Sequence, residues 1–209
     1  APSPSPEATP HLERALALVA PGGAHGQLLT AEQRSQLGHL EALLADAWFQ
    51  LGLLDTCRAH AERALRHFGW SVPSSPAGWG VGVMGQLALC VAQAAVPEAF
   101  EGAPDKREAR TAAGRMLLRL TDMFLFAQDM PRLLWSGLRM LNTCEPLGPS
   151  PALAPGYALM SLVAVSLPPT RAIAEIWLRR SQEMAEQVGS PIDVAYVLSR
   201  SAAAGIGLA

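Results

Sequence analysis

The run Leu44-Ala45-Asp46-Ala47-Trp48-Phe49-Gln50-Leu51-Gly52-Leu53-Leu54-Asp55-Thr56-Cys57-Arg58-Ala59-His60-Ala61-Glu62-Arg63-Ala64-Leu65 decides the fold. Its apolar residues recur every three to four positions on both sides of Gly52, which is helical rather than strand spacing. Cys57, Ala61 and Ala64 share one face of the second helix, and Ala45 sits between Leu44 and Trp48 on the first. Small side chains at such places let two helices cross closely, while large apolar ones fill the gaps beside the crossing. Gly52 supplies the tight turn. Upstream, Thr30 and Gln33 make a capping box, so the first helix is expected over Ala31–Leu51. The second is expected over Leu54–Phe68 and ends at Gly69.

The same periodicity continues in both directions, and no stretch alternates as a strand. A short helix is expected over His11–Ala20, stopped by Pro21-Gly22-Gly23, after a Pro/Ser-rich linker over residues 1–10. Residues 70–105 are expected as an insertion. It opens with a Pro/Ser/Gly-rich connection over 70–80, carries an apolar helix over Val81–Val96, and closes with a polar break. Helices over Lys106–Gln128 and Met130–Thr143 pair next, then Ala154–Leu167 and Arg171–Val188, divided by Pro168-Pro169. A last helix starts near Pro191, with Ser190 as cap, and runs until Gly205 or the chain end. The fold class is therefore all-α: antiparallel helix hairpins with one inserted apolar helix, in units of about 31–69, 106–145 and 154–189 and partial units at both ends.

Composition narrows function. Half of the 209 residues are hydrophobic and 16% are charged, so whole-chain disorder is excluded. One lysine, Lys106, stands among 16 basic residues, and net charge is −2. Without a basic block, neither nucleic acid nor an anionic membrane surface has an electrostatic footprint. The apolar run Val81–Val96 is shorter than the roughly 20 residues a spanning helix needs. Three cysteines without short spacing fit reduced thiols in a cytoplasmic protein.

The Leu44–Leu65 pattern, together with Arg58-Ala59-His60-Ala61-Glu62-Arg63-Ala64-Leu65 and Gly148-Pro149-Ser150-Pro151, resembles a tetratricopeptide-repeat region. In particular it is similar to the helical repeats C-terminal to the ATPase in large bacterial signalling proteins that begin with a nucleotide cyclase or protein kinase domain. The resemblance spans roughly Leu40 to Gly189. The second and third units depart from it: Gln128-Asp129 replaces the turn glycine, and Pro169 stands at the third turn. The resemblance implies an α-solenoid that acts as a scaffold or regulatory module for protein–protein interaction, its partner a protein, a peptide or a neighbouring domain of a longer parent. Half-hairpins at both ends, and the apolar stretch Ala202–Ala209, carry the same expectation of a longer protein. The alternatives are a peptide or small-ligand sensor and a helical enzyme.

Chemistry-bearing candidates are few. Gly78-Trp79-Gly80-Val81-Gly82 lacks the lysine that a phosphate-binding loop requires. Cys57, His60 and His67 are placed on one helix, but Cys57 holds a packing position, so a buried thiol with surface histidines is the simpler reading. The aspartates are scattered, and no Gly-x-Ser-x-Gly turn exists. Neither catalytic residue, metal nor cofactor is expected. Trp135 and Trp177, on second helices, are expected in the core. What remains is a groove. The resemblance places the first helix of each pair on the concave side, which would present His39, Asp46, Phe49 and Gln50 from the first unit. Arg115, Leu118, Asp122, Leu125 and Phe126 would come from the second. That face either receives an amphipathic helix or another domain, or is filled by the inserted helix Val81–Val96.

Overall fold

Capping fixes where the helices begin. In the computed structural model, which describes residues 9–19, 29–96, 107–166 and 170–208, Thr30 and Gln33 close the expected box: Gln33 N donates to Thr30 Oγ1 at 3.1 Å and Thr30 N to Gln33 Oε1 at 3.0 Å. The described residues are all-helical, without a strand. No described helix is long and apolar enough to cross a membrane. The chain divides into two units, Ala1–Ser74 and Ser75–Ala209.

In the first unit, α1 (Thr9–Val19) packs on α2 (Ala31–Gln50), which pairs with α3 (Leu54–His67). Thr9 and Pro10 thus belong to a helix rather than to the expected linker, whose residues 1–8 lie outside the described ones, as do Pro21-Gly22-Gly23. Gly52 has φ +73°, and the turn closes with Gly52 N donating to Phe49 O and Leu53 N to Trp48 O, both at 3.0 Å. Ala42, Leu44, Ala45, Ala47, Cys57, Ala61, Ala64 and Leu65 are fully buried. A methyl group on Gly38 would strike the Phe68 ring, so the open end of the hairpin needs glycine for its close approach.

A polar network lies between these two helices. Glu41 Oε2 meets His60 Nδ1 at 2.6 Å, Arg63 Nε donates to Glu41 Oε1 at 2.9 Å, and Arg63 Nη2 meets His60 Nδ1 at 2.8 Å. His60 is 8% exposed. It is therefore an interior residue, correcting the surface position expected from sequence. Burial opposes ionisation of Glu41, but the His60 and Arg63 contacts outweigh it and hold the carboxyl below its usual range. A depressed carboxyl contributes stability above its unfolded value, and that contribution disappears as pH falls through the folded one. Glu41→Gln is therefore expected to cost about 2 kcal/mol at pH 7. The gap from wild type should narrow as pH falls below the ordinary carboxylate range, as read from denaturant midpoints at neutral and acid pH; a gap independent of pH would contradict this.

In the second unit, α4 (Pro76–Ala95) packs on α6 (Met130–Cys144), which pairs with α5 (Arg107–Phe126). A short 3-10 turn, Glu145–Leu147, leads to α7 (Leu153–Val165), paired with α8 (Arg171–Val188); α9 (Pro191–Leu208) packs on both. The start of α4 corrects the sequence reading, which left 70–80 as a connection. Ser75 Oγ accepts from Gly78 N at 3.1 Å and Pro76 occupies the first turn, so the helix begins five residues before Val81. Gly78, Gly80 and Gly82 are helical residues, not a loop. The break 97–106 and Pro168-Pro169 fall outside the described residues.

The α5–α6 turn repeats the Gly52 geometry without glycine. Gln128 adopts φ 55°, and Gln128 N and Asp129 N bond to Leu125 O and Phe124 O as their counterparts do. A left-handed non-glycine costs about 1 kcal/mol, offset by the Asp129 side chain, which accepts from Arg132 N at 3.3 Å. Glycines set the helix crossings: Gly137 faces Met160, Gly156 faces Met140 and Gly114 faces Cys144, each too near for an added methyl.

Candidate functional site

The inserted helix α4 is where the structure departs from ordinary amphipathic design. Its two glutamines and its cysteine are turned inward. Gln86 is 8% exposed, and its backbone oxygen and Oε1 accept from Asn142 Nδ2 at 2.9 and 3.0 Å. Cys90 Sγ donates to Asn142 Oδ1 at 2.9 Å, and Gln93 Nε2 donates to Asn142 O at 3.0 Å. Trp79 anchors the first turn, edge-on to Trp135 at 5.1 Å and to Phe124 at 6.2 Å. The outward face carries Val81 (74% exposed), Met84 (65%), Leu87 (42%) and Val91 (70%). Beyond the Trp79 anchor, Gln86, Cys90 and Gln93 go in while Val81, Met84, Leu87 and Val91 go out.

Below the inner face lies a pocket of about 330 Å³, lined by Cys90 and Gln93 of α4, Leu141 and Asn142 of α6, Glu145, Tyr157 of α7, and Trp177 and Arg180 of α8. Its charged corner is internally paired. Tyr157 OH donates to Glu145 Oε2, while Arg180 Nη1 donates to Glu145 Oε1 at 2.9 Å and to Tyr157 OH at 3.1 Å. The Arg180 guanidinium also lies over the Tyr157 ring at 5.8 Å. Burial and the neighbouring Glu145 charge push the Tyr157 hydroxyl up, out of physiological reach. Burial likewise pushes the Cys90 thiol up. Trp177, expected in the core, is half-buried in this wall.

The nine groove residues fall into both units. In the first, Gln50 is exposed, His39 and Phe49 are half-buried, and His39 meets Phe68 edge-on at 5.1 Å; Asp46 is buried, at 6% exposure. In the second, Arg115, Leu118 and Leu125 are half-buried, and Phe126 is exposed. Asp122 is 4% exposed. Its Oδ1 accepts from Tyr196 OH at 2.9 Å and from Arg200 Nη2 at 3.4 Å. Burial pushes its carboxyl up, against the Tyr196 hydrogen bond and the Arg200 charge. The two aspartates expected to line an open groove are thus interior groups, and Asp122 ties α5 to α9. The inserted helix lies mainly on α6 and reaches α5 through Trp79 on Phe124.

Sequence reasoning missed the pocket because Glu145, Tyr157 and Arg180 are 12 to 35 residues apart and share no local motif. The inward face of α4 did leave a trace, since Gln86 and Gln93 are two turns apart with Cys90 between them. Comparison of the chain with protein-family models, curated proteins and solved structures gives no match.

Proposed function

We propose that this chain is a non-catalytic helical-repeat module of tetratricopeptide type that scaffolds protein–protein contacts, with the outer face of α4 as its contact surface. The observation that carries the reading is the polarity of that helix. A helix apolar all round is normally buried, and contiguous exposed apolar surface on a folded protein marks an interaction site. The paired hairpins, with glycines or alanines where helices cross, support the repeat architecture. The polar groups of the pocket serve one another rather than a reacting substrate, which supports a binding role over an enzymatic one.

A photo-crosslinking residue at Leu87 in the full chain tests this. Protein adducts are expected with the otherwise wild-type chain and are expected to vanish in Met84→Glu/Val91→Glu, whose stability should stay within about 0.5 kcal/mol because both positions are exposed. Absence of any protein adduct, or collapse of the double variant on mutation, would remove the surface reading.

The sensor reading has one observation in its favour, the pocket below α4. A ligand there would bear on the inner side of the same helix through Cys90 and Gln93, so the two readings share an element.

A further inference from the structure

Resting on the sensor reading rather than on the outer face of α4, the geometry points to the ligand class of the pocket: an uncharged planar heterocycle that carries an N–H donor. α4 packs on α6 and α8 on α7, and residues of all four helices line the space. Its walls are set before any ligand arrives. Asn142 is held by Gln86 and Cys90, and Tyr157 by Glu145 and Arg180. Tyr157 is 2% exposed at the floor, whereas the Arg180 side chain is 48% exposed and marks the mouth. At about 330 Å³ the pocket lies at the small end of ligand sites, which run from roughly 300 to 1,000 Å³. One ring or a fused pair fits; a dinucleotide does not.

Charge, shape and hydrogen-bonding capacity select the class. Among the lining residues the ionised pair is Glu145 and Arg180, and each already neutralises the other. An anion would meet the Glu145 carboxylate beside the guanidinium. A cation would meet the guanidinium where it already covers the Tyr157 ring. Burying either without a counter-charge is costly, and an uncharged molecule avoids both. The Tyr157 and Trp177 rings stand 6.5 Å apart with planes tilted by 44°. With Leu141 they wall the pocket for a flat ring. The polar groups then set its edge. Cys90, Asn142 and Tyr157 bond to their own neighbours. Gln93 gives an N–H to Asn142 O, and among the described residues nothing donates to its Oε1. A ligand N–H satisfies that oxygen.

Protein-observed NMR of the full chain tests this with pyridone, quinolone, N-methylpyridone, benzoate and benzamidine. Pyridone and quinolone are expected to shift the Gln93 side-chain amide and the Trp177 indole resonances, with dissociation constants on the order of 0.1–1 mM for so few atoms. N-methylpyridone, which lacks the N–H, and the two ions should bind about fivefold more weakly or worse. Gln93→Met should bring pyridone down to the level of N-methylpyridone, and Trp177→Leu should weaken both alike. Met84→Glu/Val91→Glu, on the opposite face of α4, should leave pyridone binding unchanged. Equal binding of N-methylpyridone, or tighter binding of benzoate or benzamidine, overturns the ligand class but leaves the sensor reading standing. No shift at Gln93 or Trp177 with any of the five overturns both, as does pyridone binding that survives both site variants. Should those variants fail to fold, the comparison of pyridone with its N-methyl form on the wild-type chain decides.

Discussion

Gly114→Ala is expected to destabilise the second unit by about 2 kcal/mol, although helix propensity alone would make it stabilising by about 1 kcal/mol. Steric conflict decides the sign. The added methyl falls on Cys144 Sγ, and Ala152 Cβ lies at 3.5 Å on the other side. Cys144 is fully buried and its sulfur is a single rotamer step from the backbone, so it has little room to swing away. Cys144→Ala alone leaves a small cavity and costs about 1 kcal/mol. In Gly114→Ala/Cys144→Ala the new methyl occupies the volume the sulfur vacates, so the double variant should be more stable than Gly114→Ala by about 1 kcal/mol or more. Thermal denaturation of the four proteins in the cycle measures this. Additive losses would mean that the two helices do not meet at that crossing.

Asp122→Lys has the larger predicted effect. Had Asp122 lined an open groove, reversing its charge would weaken a partner and spare the fold. Buried against Tyr196 and Arg200, a lysine at this place brings a second positive charge into the interior and removes the acceptor both groups use. The expected loss is about 4 kcal/mol or more, enough to abolish a cooperative melt in a marginally stable unit. Gln50→Lys, on an exposed residue in the other unit, should move stability by no more than about 0.5 kcal/mol. If Asp122→Lys melts as the wild type does, α9 does not cover α5 in solution.

The helices were legible because each is written in local signals. Thr30 with Gln33 and Gly52 with its flanking leucines mark their termini within a few residues, and Arg171–Val188 was placed to the residue. At α4 the cap prevails over glycine content: Ser75-Pro76 starts the helix, although Gly78, Gly80 and Gly82 give the stretch the composition of a loop. The candidate site was hardly legible. Periodicity tells which residues face inward, not which inward polar group finds which partner. Glu41 with His60 and Arg63, Asp122 with Tyr196 and Arg200, and Glu145 with Tyr157 and Arg180 each join residues from different helices, and their separations follow from packing alone. The inversion of α4 was half visible. Its apolar content predicts burial, and only the side taken by Gln86, Cys90 and Gln93 shows that, beyond Trp79, the buried half carries the polar groups.

That inversion also governs how the molecule behaves in a test tube. Attraction between greasy strips weakens on chilling and is strengthened by strongly hydrated salts. With a net charge of −2 and a calculated isoelectric point near 6.2, little electrostatic repulsion stands against it. Cold, dilute, low-sulfate buffer is then the regime expected to keep such exposed faces apart, and warming or ammonium sulfate the one expected to bring them together.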